Sequence, residues 1–275
     1  MPLIPIILIV CLFLGVTAWL VTRPARLRKQ RADLMAKPIP KEWNGYLNKR
    51  MAWYSRLPAE IRSQLLQHAQ VLIAENQWET CGGLEEVTDE MVVLVSVQAA
   101  LLLVGRDDHG FFPLLRSVLI YPSAYTDSGQ RTFDLREDQD RHRLGESWTS
   151  GSVVLAWDEV LRGAAGAHDG TNLVLHEFAH QLDQADGSSD GAPVLDDLEG
   201  YDDWQRVFRE HYEELVEDVN EDRPALMDDY GAENPAEFFA VATETFFERP
   251  QRMKREAADL YEELRDFYGL DPAAW

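Results

Sequence analysis

The segment at residues 171–183 carries two histidines and a glutamate among apolar residues. They stand in the order His176-Glu177-x-x-His180, and the apolar residues around them recur at helical spacing. On an α-helix, residues four apart lie one above the other, so both imidazoles face the same way. Glu177 lies about 100° around the helix from His176, close enough to act on a water held beside the imidazoles. The segment therefore predicts a buried helix that binds a metal ion and needs a third ligand from elsewhere in the chain.

Spacing alone leaves the third ligand open. No other histidine extends the motif to HExxHxxGxxH, because Asp186 stands where that third histidine would be. Carboxylates on a later predicted helix are better candidates, namely Glu233, Glu237 and Glu244. Glu237 and Glu244 are seven residues apart and share a face. Glu237 also follows Asn234 by three residues, as the glutamate of a capping box does, so both a ligand and a cap remain open for it.

Zinc suits this donor set, since imidazole and carboxylate are among its usual ligands, although neighbouring transition metals bind similar sites. Three protein ligands leave one zinc position open, which is the catalytic arrangement rather than the structural one. Asp183 follows His180 by three residues, and it either orients an imidazole from behind or caps the end region of the helix. A pair of buried histidines without a metal is the competing interpretation, and Glu177 beside them counts against it.

The chain begins with an apolar stretch, and residues 3–22 carry no charged side chain. About 20 such residues span a bilayer core of about 30 Å as a helix. Arginines and a lysine follow the stretch rather than precede it, which disfavours a signal peptide and points the rest of the chain to the cytoplasm. We therefore predict a transmembrane anchor at 1–22, a basic juxtamembrane linker at 23–40 and a domain at 41–275. The expected location is a bacterial-type inner membrane, crossed once, with the domain on the cytoplasmic side.

The formal net charge of −22 at pH 7 argues against a nucleic-acid partner, because phosphate binding needs a basic surface. An acidic surface keeps a domain soluble and identifies no partner. The two cysteines, Cys11 and Cys81, form no CxxC pair, and Cys11 lies inside the apolar stretch. Neither a disulfide within the domain nor a cysteine-bound zinc is expected.

Helical periodicity dominates the predicted domain. Helices are expected over residues 58–77, 88–104, 201–219, 235–248 and about 253–268, besides the one that carries the histidines. The helix at 88–104 is apolar nearly all round, which favours a buried central position. Strands are predicted at 117–121 and 151–157, with a loop or an irregular hairpin at 123–146. Many helices, few strands and no regular βαβ alternation favour an α+β fold, mostly helical with a small sheet.

Three segments taken together, and in order, resemble a known family. They are His-Glu-Phe-Ala-His-Gln-Leu-Asp at 176–183, Tyr-Gly-Ala at 230–232, and Asn-Pro-Ala-Glu-Phe-Phe-Ala-Val-Ala-Thr-Glu-Thr-Phe-Phe at 234–247. The set is similar to the MtfA family of zinc peptidases, and the similarity takes in Pro40-x-Glu-Trp43, Trp157 and the helix at 88–104. The catalytic domain of anthrax lethal factor is more distantly similar, with HExxH and then a tyrosine seven residues before a glutamate.

The resemblance implies a zincin-like metallopeptidase domain of the gluzincin type that binds Zn²⁺. It makes Glu237 the third ligand beside His176 and His180, and Tyr230 the tyrosine that faces the substrate. A packed aromatic with a tethered hydroxyl is the other interpretation of Tyr230, and Glu244 either supports a ligand from behind or packs the helix. Members of the family are soluble, so the apolar N-terminus is a departure. The family's association with the repressor Mlc is not carried over to this chain.

The sequence therefore favours a zinc-dependent peptidase that hydrolyses peptide or protein substrates. In this hypothesis a metal-activated water attacks the peptide bond, and Glu177 acts as the general base. The expected role of the peptidase is regulatory. The alternative is a membrane-tethered, non-catalytic metal-binding protein that sequesters a cytoplasmic regulator. The intact Glu177 counts against that alternative, because a scaffold needs no base beside its metal.

Overall fold

The computed structural model of the chain describes residues 3–106, 110–123, 151–166, 168–195 and 199–275, with the backbone alone for residues 3–10 and 199. It divides into two units, Met1–Pro38 and Ile39–Trp275. The first unit contains helix α1, Leu3–Met35, which continues through Pro24 and so carries most of the residues predicted as the anchor and the linker. Among the residues that the structure describes, none of the helices is long and apolar enough to cross a membrane. The anchor at 1–22 and the cytoplasmic location stay predictions from the sequence.

The second unit is mainly helical. Its described helices are α2 Lys41–Arg50, α3 Ala59–Glu75, α4 Asp89–Ala100, α5 Trp157–Ala165, α6 Leu173–Asp183, α7 Glu199–Asn220, α8 Pro235–Glu248, α9 Pro250–Glu256 and α10 Ala258–Tyr268. Short 3-10 helical segments lie at Tyr54–Arg56, Gln184–Asp186, Asp229–Ala232 and Pro272–Ala274. Together with one small sheet, these helices confirm the predicted α+β class.

The described strands form a parallel sheet in the order β1 Gln77–Thr80, β2 Ser117–Tyr121 and β3 Ser152–Ala156. Val118 lies opposite Trp78 on one side and opposite Val153 on the other. Consecutive residues of β3 from Val153 onward are buried, as is typical of parallel strands that are covered on both faces. Helix α5 begins immediately after β3 and leads the chain toward α6.

Several predicted elements are confirmed with small changes of boundary. Strand β2 and helix α8 have the predicted bounds, and α3 lies within the predicted helix at 58–77. The side chain of Thr88 caps α4 by accepting a hydrogen bond from the N–H of Met91. Helix α4 is buried along nearly its whole length, which confirms its predicted central position, but it ends at Ala100 rather than at residue 104.

Other elements differ from the prediction. Strand β1 is absent from the prediction: its first residue, Gln77, stands at the end of the predicted helix at 58–77, and residues 78–80 carry only a weak alternation. Helix α5 was missed, since its first residue, Trp157, continues the apolar run of β3. The single helix predicted at about 253–268 is two helices, because Ala257 leaves the helical conformation at φ −141° and ψ 65°. The loop or hairpin predicted at 123–146 lies, apart from Ser123, outside the described residues.

Helix α6 lies at the centre of the second unit. It packs against α4, α5, β3 and α8, so the structure surrounds it with other elements. Helix α8 in turn packs against the 3-10 segment Asp229–Ala232. The helix that carries the two histidines and the helix that carries Glu237 are therefore direct neighbours, although they are far apart in the chain.

Candidate metal centre

Helix α6 begins at an asparagine cap. Asn172 has extended backbone angles, and its Oδ1 accepts a hydrogen bond from the N–H of Leu175 at 3.2 Å. The helix buries its polar residues as well as its apolar ones: His176, Glu177 and His180 are 6%, 2% and 1% exposed. Burying three ionisable side chains on one helix is costly unless each finds a partner.

Helix α8 also begins at an asparagine cap. The Oδ1 of Asn234 accepts a hydrogen bond from the backbone N–H of Glu237 at 3.1 Å, and Pro235 is the first helical residue. The side chain of Glu237 is buried, and its carboxylate lies at the two histidines of α6. The two alternatives that the sequence left open for Glu237 are compatible, because its backbone belongs to the cap and its side chain to the histidine cluster. Glu233, another candidate, is exposed.

Three possible ligand atoms meet between α6 and α8. The Oε2 of Glu237 lies 3.1 Å from the Nε2 of His176 and 3.3 Å from the Nε2 of His180, and the two Nε2 atoms are 3.2 Å apart. A zinc ion with bonds of about 2.05 Å to nitrogen and oxygen holds tetrahedral ligands about 3.3 Å apart. The three atoms thus have the spacing of one face of a zinc tetrahedron, and the donor set fits a zinc-sized ion.

A second carboxylate of α8 supports His176 from behind. The Oε1 of Glu244 lies 2.7 Å from the Nδ1 of His176, and its Oε2 accepts a hydrogen bond from the backbone N–H of Asn172. A proton on Nδ1 leaves the lone pair of Nε2 directed at the cluster, which is the tautomer that binds a metal. Of the two roles that the resemblance suggested for Glu244, this contact supports the first.

The pKa values of His176 and Glu237 are shifted by contacts between the two helices. Burial lowers the pKa of His176, but the charges and hydrogen bonds of Glu244 and Glu237 outweigh it and raise that pKa well above its ordinary value. Burial raises the pKa of Glu237, and the hydrogen bonds from His176 and His180 outweigh it and keep that pKa well below its usual range. A metal cation binds neutral imidazoles and an ionised carboxylate, so its binding here is expected to release protons.

Glu177 is a buried carboxylate with few hydrogen-bond partners among the described residues. Within the described part of the chain its Oε1 has no hydrogen-bond partner. Burial raises the pKa of Glu177, and the charges of His176 and His180 oppose that rise. A buried group with a raised pKa beside a candidate metal site has the properties of a proton acceptor that works near neutral pH.

Tyr230 lies next to the cluster. It belongs to the 3-10 segment Asp229–Ala232, in which the carboxylate of Asp228 accepts a hydrogen bond from its N–H at 3.0 Å. The ring of Tyr230 is half-buried, and its centroid lies 5.8 Å from that of His176. The structure therefore brings the predicted tyrosine to the same imidazole that Glu237 and Glu244 contact.

Asp183 connects the end of α6 to the chain before α8. Its Oδ2 accepts a hydrogen bond from the N–H of Gly191 at 3.1 Å. Gly191 has a φ of +76°, and a Cβ there would lie 2.3 Å from the carbonyl oxygen of Pro235, so only glycine allows this approach. Asp183 thus holds a loop against the first residue of α8, a contact that differs from both roles predicted for it, the orientation of an imidazole and the capping of the helix end.

Three residues of the site were not identified from the sequence. The Nδ2 of Asn172 donates hydrogen bonds to Gln98 Oε1 at 3.2 Å and to Glu248 Oε1 at 3.1 Å. These contacts join the start of α6 to α4 and to the end of α8. An asparagine directly before an apolar helical run is a recognised start signal, so Asn172 was open to prediction. The contacts of Asn172 with Gln98 and Glu248 depend on how the helices pack, so the sequence alone does not show them.

A buried His-Glu-x-x-His helix, completed by a glutamate from a later helix, is typical of metallopeptidases. The comparison with known proteins identifies the particular family. A family model described as glucose-regulated metallo-peptidase M90 matches residues 25–269, and the chain belongs to this family.

Two of three similar proteins carry the name Mlc titration factor A. The chain is 33% identical over 273 residues to the uncharacterised protein slr2042 of Synechocystis sp., with 98% of each chain covered. It is 33% identical over 189 residues to Mlc titration factor A of Pectobacterium atrosepticum, which covers 67% of this chain and 68% of the relative. Mlc titration factor A of Serratia proteamaculans is 34% identical over 162 residues, 57% of this chain and 61% of the relative. The predicted membership of the MtfA family is confirmed.

Proposed function

We propose that this protein is a zinc-dependent peptidase in which His176, His180 and Glu237 bind the metal. The observation that carries the proposal is the buried triangle of donor atoms, whose sides of 3.1, 3.2 and 3.3 Å match the ligand spacing around zinc. Membership of a metallopeptidase family supports the same conclusion. The proposed substrates are peptides or proteins.

Each residue of the site has a proposed role. Zinc, when bound, supplies a Lewis acid for the scissile carbonyl and lowers the pKa of a water toward 7. Glu177 accepts a proton from the attacking water and passes it to the leaving amine, a role suited to a carboxylate whose pKa is raised by burial. Tyr230 donates a hydrogen bond to the carbonyl oxygen as negative charge develops there. Glu244 keeps the proton of His176 on Nδ1 throughout.

The experiment that tests the proposal compares zinc content and peptide hydrolysis for the wild type and Glu177→Gln. Because Glu177 lies outside the donor triangle, the variant is expected to keep zinc near the wild-type stoichiometry. Its hydrolysis rate is expected to fall by about 10²–10⁴-fold, the usual contribution of a general base. A variant that holds zinc and cleaves peptides at the wild-type rate would refute the proposed mechanism.

Glu237→Ala tests the ligand assignment. Its removal takes one corner from the triangle, so metal analysis after dialysis is expected to find the variant depleted of zinc. Full zinc occupancy in a folded Glu237→Ala protein would return Glu237 to its capping position alone. Far-UV circular dichroism of both variants provides the control for folding.

The name Mlc titration factor A, which two of the relatives carry, favours a second candidate function. A titration factor for Mlc is a protein that binds another protein, so a non-catalytic role in sequestering a regulator is the alternative for this chain. The Glu177→Gln variant separates the two. A binding function persists in the variant, whereas a peptidase function is lost.

A further inference from the structure

A separate cavity of about 440 Å³ lies beside the start of α6 and the end of α8, where Asn172 and Glu248 belong to its wall. None of the three candidate metal ligands lines it. We call it the arginine pocket, after the charged and aromatic residues that characterise its lining: Trp53, Arg56, Arg249, Arg252, Arg255 and Trp275.

The charge of the arginine pocket is opposite to that of the protein as a whole. Four arginines line it in a chain with a formal net charge of −22. Arg252 and Arg255 share one carboxylate, that of Glu256, each at 2.8 Å. Among the residues that the structure describes, neither Arg56 nor Arg249 has a carboxylate within 4.0 Å. Set against Glu248, which belongs to the same wall, and against Glu256, the four arginines still leave an excess of positive charge, which favours an anion.

The guanidinium of Arg249 is held in place by the backbone. It donates hydrogen bonds to the carbonyl oxygens of His168 at 3.4 Å, of Leu226 at 3.2 Å and of Asp169. Gly170, at a φ of +89°, lets the chain approach so closely that a Cβ there would lie 2.8 Å from Cζ of Arg249. Three bonds leave two of its five N–H groups for another acceptor. This arginine is thus preorganised, and an anion that binds it orders no flexible side chain.

Part of the remaining wall, opposite in character to Asn172 and Glu248, is apolar and equally well fixed. The indole Nε1 of Trp53 donates a hydrogen bond to the carbonyl oxygen of Ala164 at 3.0 Å, and a Cβ on Gly166 would lie 2.8 Å from the indole Cδ1. Leu57, Leu101 and Leu175 continue this surface. Apolar walls with a few convergent polar groups are typical of small-molecule sites, whose volumes are about 300–1,000 Å³.

We propose that the arginine pocket binds a small organic anion, with a carboxylate or phosphate group at Arg56 and Arg249 and an apolar body against Trp53 and the leucines. The anionic group satisfies the two arginines that lack a carboxylate partner in the described structure. The apolar body fills the part of the cavity that offers no hydrogen bonds. This binding site is distinct from the proposed zinc site and goes beyond the peptidase function.

Isothermal titration calorimetry on the full-length protein tests the proposal. The probes are phenyl phosphate and phenylacetate, which carry the two kinds of anion on the same ring, together with inorganic phosphate and phenol, which carry only one feature each. EDTA-treated protein is used throughout, so that binding to zinc does not contribute. We expect one site for phenyl phosphate or phenylacetate, and at least about tenfold weaker binding of inorganic phosphate and phenol.

The matched variants are Arg56→Gln and Arg206→Gln. Arg56 is exposed in a short 3-10 segment, so its substitution leaves the fold intact, and loss of its charge is expected to weaken binding of the preferred probe at least about tenfold. Arg206 lies on α7, away from the pocket lining, and its substitution is expected to change nothing. Equal affinity in wild type and Arg56→Gln, or no measurable binding of either aromatic anion to the wild type, overturns the proposal. Neither outcome affects the zinc site.

Discussion

Glu244 provides a demanding test of how the site prepares His176 for a metal. Its carboxylate is buried and accepts hydrogen bonds from two donors, the Nδ1–H of His176 at 2.7 Å and the backbone N–H of Asn172. Glu244→Gln keeps the shape of the side chain but replaces one acceptor oxygen by an NH₂ donor. One of the two neighbouring donors then faces another donor.

Both orientations of the new amide weaken the metal site. If the NH₂ group faces His176, the imidazole accepts that hydrogen bond only after moving its proton to Nε2, which blocks the nitrogen in the donor triangle. Zinc therefore forces the NH₂ group to face Asn172, where a buried backbone N–H loses its partner, and this cost of about 1–3 kcal/mol is subtracted from zinc binding. A loss of about 1.4–2.7 kcal/mol in zinc binding, or 10–100-fold in Kd, is the expected result.

The assay is competition for zinc against a chromophoric chelator at pH 7.5. Glu248→Gln is the matched control, since Glu248 lies on the same helix and accepts a hydrogen bond from Asn172 Nδ2 rather than from a histidine. The control is expected to bind zinc within about twofold of the wild type, because the new amide still presents an oxygen to that donor. A folded Glu244→Gln protein with wild-type zinc affinity would show that Glu244 does not set the protonation of His176.

Two further substitutions test the surroundings of the site. Tyr230→Phe is expected to lower kcat for peptide hydrolysis by about 10²-fold and to leave the zinc content unchanged. Steady-state kinetics and metal analysis measure the two quantities. An unchanged kcat would mean that Tyr230 is only a packed aromatic. Burial raises the pKa of Asp183 to about 6, against about 3.9 in an unfolded chain. The stability that protonated Asp183 contributes is complete below pH 3.9 and is lost as the pH rises through 6. Asp183→Asn, which stays uncharged, is therefore expected to gain about 1.4 kcal/mol over the wild type in free energy of unfolding between pH 5 and pH 7.5, measured by urea titration with EDTA present. If the free energy of unfolding changes with pH in the same way for the wild type and Asp183→Asn, Asp183 is not the titrating group.

Local patterns in the sequence were sufficient for much of the fold. Strand β2 and helix α8 were predicted at their observed bounds, because proline and asparagine mark the ends and the runs between them are strongly apolar. Strand β1 and helix α5 were missed for the opposite reason. Each is short, and what stabilises it is its neighbours: β1 pairs with β2, and α5 packs against α4 and α6. Tertiary contacts of this kind leave little trace in a short segment.

The candidate site was only partly open to prediction. The histidines and Glu177 follow from a spacing of one helical turn, which a sequence displays directly. The sequence spacing alone could not decide which of Glu233, Glu237 and Glu244 is the third ligand, because the three are separated by four and seven residues. The packing of α8 on α6 decides it. Before the structure, only the family resemblance pointed to Glu237. The links from Asn172 to Gln98 and Glu248 required the coordinates, because these residues are more than 70 positions apart.

Two carboxylates of α8 contact the two nitrogens of one imidazole, and this geometry sets how the helices must pack. Glu237 and Glu244 are seven residues apart, which is about 10.5 Å along a helix axis, yet both reach His176. The imidazole must therefore lie between two turns of α8, and a small slide of α6 would break one contact or the other. Asn172 binds Glu244 and Glu248 at the start of α6, and Asp183 binds the loop beside Pro235 at its end. These two residues lie outside the donor triangle, but they hold α6 in the one register that allows the triangle to form.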